Sequence, residues 1–165
     1  MRAFRRIVTG HDRDGRSAIV EDGDCPHVEI TADATVVNLW LHEGRPDNAD
    51  GYHDPVGPGV PLAPPARGSV LRVVEFPPRR PGTAPYVHRT ESLDYAYVID
   101  GEVHSVFDSG ETLLRAGDVL IQRGTNHAWD NRSEVACVVL FALLDAEPLD
   151  PAEDGMGTGP AATSP

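Results

Sequence analysis

Residues 88–131 read HRTESLDYAYVIDGEVHSVFDSGETLLRAGDVLIQRGTNHAWDN, and they set an unusual density of polar, ligand-type side chains on strand-like segments. Short runs of β-branched and aromatic residues alternate there with polar ones, and glycine-containing turns separate the runs. An alternation with a period of two is typical of strands that have one buried face. The stretch therefore predicts a sheet that presents polar side chains to an enclosed space.

The segments on either side of this stretch also resemble strands. Residues 4–20 predict two short strands around an Asp14-Gly15 turn, because glycine accepts the positive φ that a tight hairpin needs. Three further strands are predicted at residues 34–44, 69–76 and 134–144. Nine or ten short strands with almost no helix leave an all-β sandwich or a closed jelly-roll barrel.

The remaining segments lack any period. Residues 45–68 are rich in Pro, Gly and Asp, which predicts a long loop that is either a lid or disordered. Residues 145–165 are predicted to be a disordered acidic tail. We therefore expect a barrel at residues 69–144, with residues 1–68 forming strands and a loop that pack on the barrel or are exchanged between barrels. Exchange would make a homodimer and cover exposed strand edges.

Composition argues against several classes of function. A chain of 165 residues fits one domain, and its net charge of −12 argues against a nucleic-acid partner. All 14 basic residues are arginines, so catalysis through a lysine Schiff base is excluded. The N-terminal MRAFRRIV has no apolar run after it, and no segment approaches the roughly 18 apolar residues that span a bilayer. We expect a soluble cytoplasmic protein without a membrane partner.

Two short motifs frame the central stretch. The first comprises Gly82, His88, Asp94 and Gly101, and the second comprises Gly117, Gly124, His127 and Asn131. With these residues at these spacings, residues 69–144 resemble the cupin superfamily. The resemblance implies a double-stranded β-helix, also called a jelly-roll barrel, and here the N-terminal strands would be an addition to it. Small stand-alone cupins of secondary-metabolite clusters are the most similar group.

The resemblance also implies a metal site, which in this family usually has three histidines and one glutamate. Here Thr90 stands at the second histidine position and Asp94 at the glutamate position, while His88 and His127 remain. Two imidazoles and one carboxylate form a facial set that suits Fe(II), and Zn or Mn is also allowed. Glu91 is a rival carboxylate. The alternative is a barrel without metal in which the two histidines are hydrogen-bonding or acid–base groups.

Several neighbouring residues are candidates for binding a substrate. Thr90 shares the inward face of its predicted strand with His88. Gln122 and Arg123 replace a proline turn of the second motif, and polar groups there could bind an anionic substrate. Trp129 follows His127 by two residues and could form part of the pocket wall.

Alternation assigns an orientation to residues on the other strands. Arg72 and Glu75 lie on opposite faces of SVLRVVEF, so one of the two points inward, where a charge needs a partner or a ligand. We take Arg72 as the substrate-binding candidate. Tyr95 and Tyr97 alternate with Asp94 and are predicted to face away from the cavity.

We therefore expect a small-molecule enzyme that acts on an organic acid, a phenol or a polyketide-like substrate. The first hypothesis is metal-dependent chemistry of an oxidoreductase, dioxygenase, lyase or cyclase. Without metal, His127 or His88 would serve as the general base of a decarboxylase, isomerase or cyclase. A hypothesis of another class is a non-catalytic cupin that binds a metabolite.

Overall fold

The computed structural model describes residues 3–49 and 51–149, and these residues form eleven strands and no helix. The strands are β1 (Arg5–His11), β2 (Ser17–Asp24), β3 (Val28–Ile30), β4 (Thr35–His42), β5 (Ser69–Phe76), β6 (Ser92–Asp100), β7 (Glu102–Phe107), β8 (Gly110–Arg115), β9 (Val119–Arg123), β10 (His127–Asp130) and β11 (Cys137–Asp145). The described part of the chain thus has no helix that could cross a bilayer. Most of the predicted tail, from residue 150 onwards, lies outside the described residues.

Two sheets enclose one core. One has six strands in the order β3-β4-β5-β11-β6-β9, and the other has three in the order β10-β7-β8. Valines and leucines of both sheets share one apolar cluster, so the sheets pack face to face. This arrangement confirms the predicted all-β jelly-roll barrel.

The alternation along β6 decides which side chains enter this core. Ala96 and Val98 are buried, whereas Tyr95 and Tyr97 between them are 42% and 44% exposed. Successive side chains of a strand point to opposite faces, so Asp94 shares the inner face with Ala96 and Val98. The outward orientation predicted for both tyrosines is confirmed.

The β6–β7 hairpin shows why one motif glycine is required. Gly101 follows Asp100 at the turn and has a φ of 75°, a value that is strained for residues with a side chain. A Cβ atom at this position would lie 2.7 Å from the carbonyl oxygen of Ala136. Glycine therefore allows the hairpin to pack directly against the segment that leads into β11.

The base of the β1–β2 hairpin packs on the outer face of the six-stranded sheet. Cys25, Val37 and Val73 are buried in a second apolar cluster there, against which Phe4 and Leu39 pack. Val37 and Leu39 of β4 therefore lie outside the barrel. The opposite face of β4 points into the barrel, where Val36 lines the cavity. Exchange of the hairpin between two subunits stays a prediction.

The loop between β4 and β5 is tied to the hairpin by charge. The guanidinium of Arg6 lies 2.5 Å from a carboxylate oxygen of Glu21 and also pairs with Asp54. Asp54 in turn accepts a hydrogen bond from His27 at 2.8 Å. These contacts hold the loop against the barrel, and its residues Pro61 and Leu62 reach the barrel interior.

Candidate functional site

A cavity of about 430 Å³ lies between the two sheets. Its apolar wall comprises Val36, Val74, Phe76, Trp129, Phe141 and Leu143. The sequence-predicted residues that line it are Arg72, His88, Thr90, Asp94, Gln122, His127 and Trp129. A volume of this size lies within the range of small-molecule sites, roughly 300–1,000 Å³.

Two histidines meet at one end of the cavity. His127 begins β10, and its backbone exchanges two hydrogen bonds of 2.9 Å with the backbone of His88. This pairing brings the two imidazole rings to a centroid distance of 4.2 Å at an angle of 60°. His88 and Thr90 lie on an irregular segment rather than in the predicted strand. Among the described residues, the isolated bridge between His88 and His127 is the only β pairing of this segment.

Both rings carry their proton on Nδ1. His127 Nδ1 lies 2.8 Å from the carbonyl oxygen of Thr125, and His88 Nδ1 lies 3.4 Å from that of Tyr86. A carbonyl oxygen only accepts, so each Nδ1 donates and each Nε2 keeps its lone pair. Burial lowers the pKa of His127 to about 4, and its ring is therefore neutral near pH 7.

Asp94 is buried on the inner face of β6. Its Oδ1 accepts a hydrogen bond of 2.6 Å from the hydroxyl of Ser92, which lies 2.8 Å from the hydroxyl of Thr90. Its Oδ2 accepts one of 2.9 Å from the amide of Gln122. Burial raises the pKa of the Asp94 carboxyl, although both hydrogen bonds act in the opposite direction.

The amide nitrogen of Gln122 joins Asp94 to His127. It lies 2.9 Å from Asp94 Oδ2 and 3.1 Å from His127 Nε2, so both of its hydrogens have an acceptor. We call Asp94, Gln122 and His127 the amide-bridged cluster. Oε1 of Gln122 is buried without a hydrogen-bond partner among the described residues.

The position of Gln122 corrects a prediction from the sequence. Gln122 and Arg123 were expected in a turn, but both belong to β9, where Gln122 pairs with Asp94 of β6. The turn begins one residue later, at Gly124, which has a φ of 57°. Arg123 is exposed and does not line the cavity, because it follows Gln122 by one residue and faces outward.

The arrangement around Gln122 does not fit a metal ion held by His88, Asp94 and His127. Within residues 3–49 and 51–149, no three His, Cys, Asp or Glu side chains are placed to hold an ion. Two imidazoles and a carboxylate are suitable donors, but the Gln122 amide engages Asp94 Oδ2 and His127 Nε2. The predicted metal set stays a prediction.

Arg72 enters the cavity from β5. Its side chain is buried, with a residue exposure of 5%, and it donates a hydrogen bond of 2.8 Å to the carbonyl oxygen of Pro61. Its Nε is buried without a partner. Burial lowers the pKa of the guanidinium, and the charges of Glu29 and Asp94 oppose that shift. Glu75, on the opposite face of β5, does not line the cavity.

Aromatic rings form the wall between these polar groups. Phe76 stacks on Trp129 at a centroid distance of 5.8 Å, and Phe141 meets Trp129 edge-on at 5.1 Å. The sequence analysis did not identify Phe76 or Phe141 as site residues. Phe76 follows Arg72 by four residues and thus shares its face, so the period of two already contained that signal.

Asn131 of the second motif also lines the cavity. It donates hydrogen bonds of 2.8 Å to the carbonyl oxygens of Phe76 and Val135, which connects the end of β5 to the segment before β11. The segment from Pro77 to Tyr86 contributes several residues to the cavity wall. Trp40 and His42 line a shallow depression on the outer surface rather than the cavity.

Comparisons with known proteins agree with this architecture. Residues 72–143 match the family described as Cupin domain. The chain is 35% identical over 164 residues to Phomopsin biosynthesis cluster protein C' of Diaporthe leptostromiformis, covering 91% of this chain and 82% of that protein. It is 33% identical over 151 residues to Cupin-domain-containing oxidoreductase fogC of Aspergillus ruber, covering 85% and 71%.

A solved structure has the same fold. The Schizosaccharomyces pombe Cnp3 Cupin Domain matches with a TM-score of 0.51 at 13% sequence identity, and the match covers 92% of each chain. At this identity the likeness shows the fold alone. The match to the Cupin domain model and the relative that is 33% identical, itself named as cupin-domain-containing, show that the chain belongs to the cupin family.

Proposed function

We propose that this cupin is an enzyme that moves a proton on a small organic molecule bound in the cavity. The observation that carries the proposal is the pair formed by His88 and His127, whose rings lie 4.2 Å apart beside an apolar wall. Nδ1 of each ring donates to a carbonyl oxygen, so the neutral form of each ring has its lone pair on Nε2. Such a pair suits decarboxylation, isomerisation or cyclisation, which require proton transfer near a carbonyl group.

The two histidines have different roles in this proposal. His88 is half-buried, and within the described residues no hydrogen bond engages its Nε2, so it is the general base. Nε2 of His127 accepts a hydrogen bond from Gln122, and burial keeps the ring neutral. His127 therefore orients the neighbouring groups and contributes a fixed dipole rather than a charge.

Exchange of carbon-bound hydrogen tests this proposal. Phenylpyruvate in D₂O loses the hydrogens beside its carbonyl group when a base removes them, and NMR follows the loss. We expect the wild type to exceed the buffer rate and His88→Gln to lose roughly 100-fold or more of that excess. His104→Gln is the matched control, because this histidine lies outside the cavity. Equal rates in the wild type and His88→Gln would refute the role of His88.

A second candidate is a metal-dependent oxidoreductase. Several relatives are named cupin-domain-containing oxidoreductases, which supports this candidate. Two imidazoles and a carboxylate that line one cavity also support it. Fe(II), Zn or Mn at His88, Asp94 and His127 would require the amide of Gln122 to turn away from Asp94 and His127. The bridging amide is the reason that we place this candidate second.

Metal analysis separates the two candidates. Protein purified without chelators would contain near-stoichiometric iron, zinc or manganese if the second candidate holds, and His127→Ala would lose it. Removing the bridge by Gln122→Ala should then raise the metal affinity. No metal in the wild type, and none after reconstitution, would contradict the metal-dependent candidate. If the protein binds a small molecule but shows neither hydrogen exchange nor bound metal, a non-catalytic metabolite-binding cupin would be favoured instead.

A further inference from the structure

Arg72 is a buried cation that has no anionic partner among the residues that the structure describes. Its exposure is 5%, and within the described residues no carboxylate forms an ion pair with it. Its side-chain hydrogen bond goes to the backbone carbonyl of Pro61, and its Nε has no partner. Glu29 and Asp94 act on it only at longer range.

This arrangement has a physical cost that a ligand would offset. Buried charges in proteins are normally paired and hydrogen-bonded, since removing a charge from water is unfavourable. Arginine does not escape the cost by losing its proton, because its guanidinium remains charged in proteins. The side chain of Arg72 lines a cavity that is large enough for a small molecule. An anion there would supply what the chain does not.

The neighbours of Arg72 indicate the rest of the ligand. Phe141 is its direct neighbour on β11, and Phe76 lies further along the same face of β5. With Trp129, these rings form an apolar aromatic surface, in which Phe76 stacks on Trp129 and Phe141 stands edge-on to both. A planar ring system packs favourably on such a surface, and the fork of the guanidinium matches the two oxygens of a carboxylate.

We propose that the cavity binds an aromatic or other planar apolar molecule through a carboxylate held by Arg72. The ring system lies against Phe76, Trp129 and Phe141, and the far end of the molecule reaches His88. This inference rests on the proposed function, since it names the substrate class of the same cavity. In it, Arg72 is a binding residue, and it takes no part in proton transfer.

Two probes that differ only in charge test the proposal. 2-Naphthoate carries the carboxylate, and 2-naphthamide is its neutral counterpart of nearly equal shape. Calorimetry or the fluorescence of Trp129 in a Trp40→Phe background measures their affinity. We expect the wild type to bind naphthoate at least tenfold more tightly than naphthamide. Arg72→Met should abolish that preference, and Arg72→Lys should weaken it because lysine cannot form the paired contact.

Arg123→Met is the matched control. Arg123 is exposed and faces away from the cavity, so its removal changes the net charge equally and should leave the preference within twofold. Equal affinity for both probes, no naphthoate binding at millimolar concentration, or an unchanged preference in Arg72→Met would overturn the proposal. Circular dichroism checks folding, and if Arg72→Met does not fold, an undiminished preference in Arg72→Lys overturns it.

The test is separable from that of the proposed function. Binding is measured without turnover, so His88→Gln should keep the preference for naphthoate while it loses hydrogen exchange. A preserved preference in a wild type that shows no exchange would refute proton transfer and leave the carboxylate site in place. Exchange without any preference for the carboxylate would refute the role of Arg72 alone.

Discussion

The cavity has two polar regions that are equally buried but differently satisfied. In the amide-bridged cluster, the Gln122 amide donates to both Asp94 and His127, at 2.9 and 3.1 Å. At Arg72, the chain supplies one carbonyl oxygen and leaves Nε without an acceptor. Apart from Oε1 of Gln122, the first region makes its hydrogen bonds within the protein, whereas in the second the Nε donor has no partner among the described residues.

This difference distinguishes polar residues that stabilise the folded protein from a polar residue that can bind a ligand. A buried polar group that is paired contributes to stability, and removing its partner leaves an unsatisfied group behind. A buried charge without a pair costs stability, so replacing it by an apolar residue is often neutral or favourable. Substitutions in the two regions should therefore have opposite consequences for unfolding.

The largest effect is expected from Gln122→Leu. The substitution nearly preserves the volume but leaves Asp94 Oδ2 and His127 Nε2 buried without donors. We expect the free energy of unfolding to fall by about 3 kcal/mol and the melting temperature by about 8 °C. Calorimetry measures both. Asn126→Leu is the control, because its amide also meets a carboxylate but is exposed, and a similar loss there would contradict the comparison.

A somewhat smaller loss of stability is expected when the pH is lowered. Because burial lowers the pKa of His127 from 6.5 to about 4, the unfolded chain takes up a proton in this range that the folded chain does not. The stability from neutral His127 is present above pH 6.5 and is lost as pH falls towards 4, by about 2 kcal/mol between pH 7.5 and 4.5.

His127→Gln isolates that contribution. The variant should lose less stability than the wild type over the same pH interval, as measured by denaturant unfolding at each pH. The raised pKa of Asp94 works in the opposite direction, since its contribution is present at low pH and is lost as pH rises, but both proteins contain Asp94. Identical pH slopes for the two proteins would show that His127 is not the group responsible.

Thr90→Val should lower the free energy of unfolding by about 1 kcal/mol. The shape of the side chain is kept, but Ser92 loses the neighbouring hydroxyl at 2.8 Å while it keeps Asp94 as its acceptor. Chemical denaturation is the measurement. Thr112→Val on the exposed part of β8 should change stability by less than about 0.5 kcal/mol. A loss as large as that from Gln122→Leu would place Thr90 within the cluster itself.

The smallest effect on stability is expected from Arg72→Met. The substitution removes an unpaired buried charge and fills the same space with an apolar chain. We expect the free energy of unfolding to change by less than about 1 kcal/mol or to rise. The result is read in the same unfolding series as Gln122→Leu. A loss of several kcal/mol would mean that Arg72 stabilises the empty protein, and the contrast between the two regions would then disappear.

Much of this fold could be predicted from the sequence, because the alternation of buried and exposed residues depends on residues that are close together in the chain. A period of two predicted that either Arg72 or Glu75 points inward and that both Tyr95 and Tyr97 point outward, because these orientations depend only on neighbours along one strand. The resemblance to the cupin motifs implied that His88 and His127 share one cavity.

The role of Gln122 was not readable in the same way. Its contact with Asp94 depends on the register between β6 and β9, which are 28 residues apart in sequence at that contact. A shift of one residue would turn Gln122 outward and bring Arg123 to the cavity. The sequence also gave no indication that the loop would supply Pro61 as the partner of Arg72, because irregular segments have no period from which a contact can be inferred.

The carbonyl of Pro61 has a consequence for the kinetics of binding. If the anion were the only partner of the guanidinium, its dissociation would leave a buried charge unpaired. The anion would then stay bound for a long time. The backbone carbonyl of Pro61 at 2.8 Å keeps one donor partnered when the anion departs and so lowers the barrier to release. If Arg72 holds the carboxylate, the long loop would shorten the residence time of the ligand and thereby permit turnover.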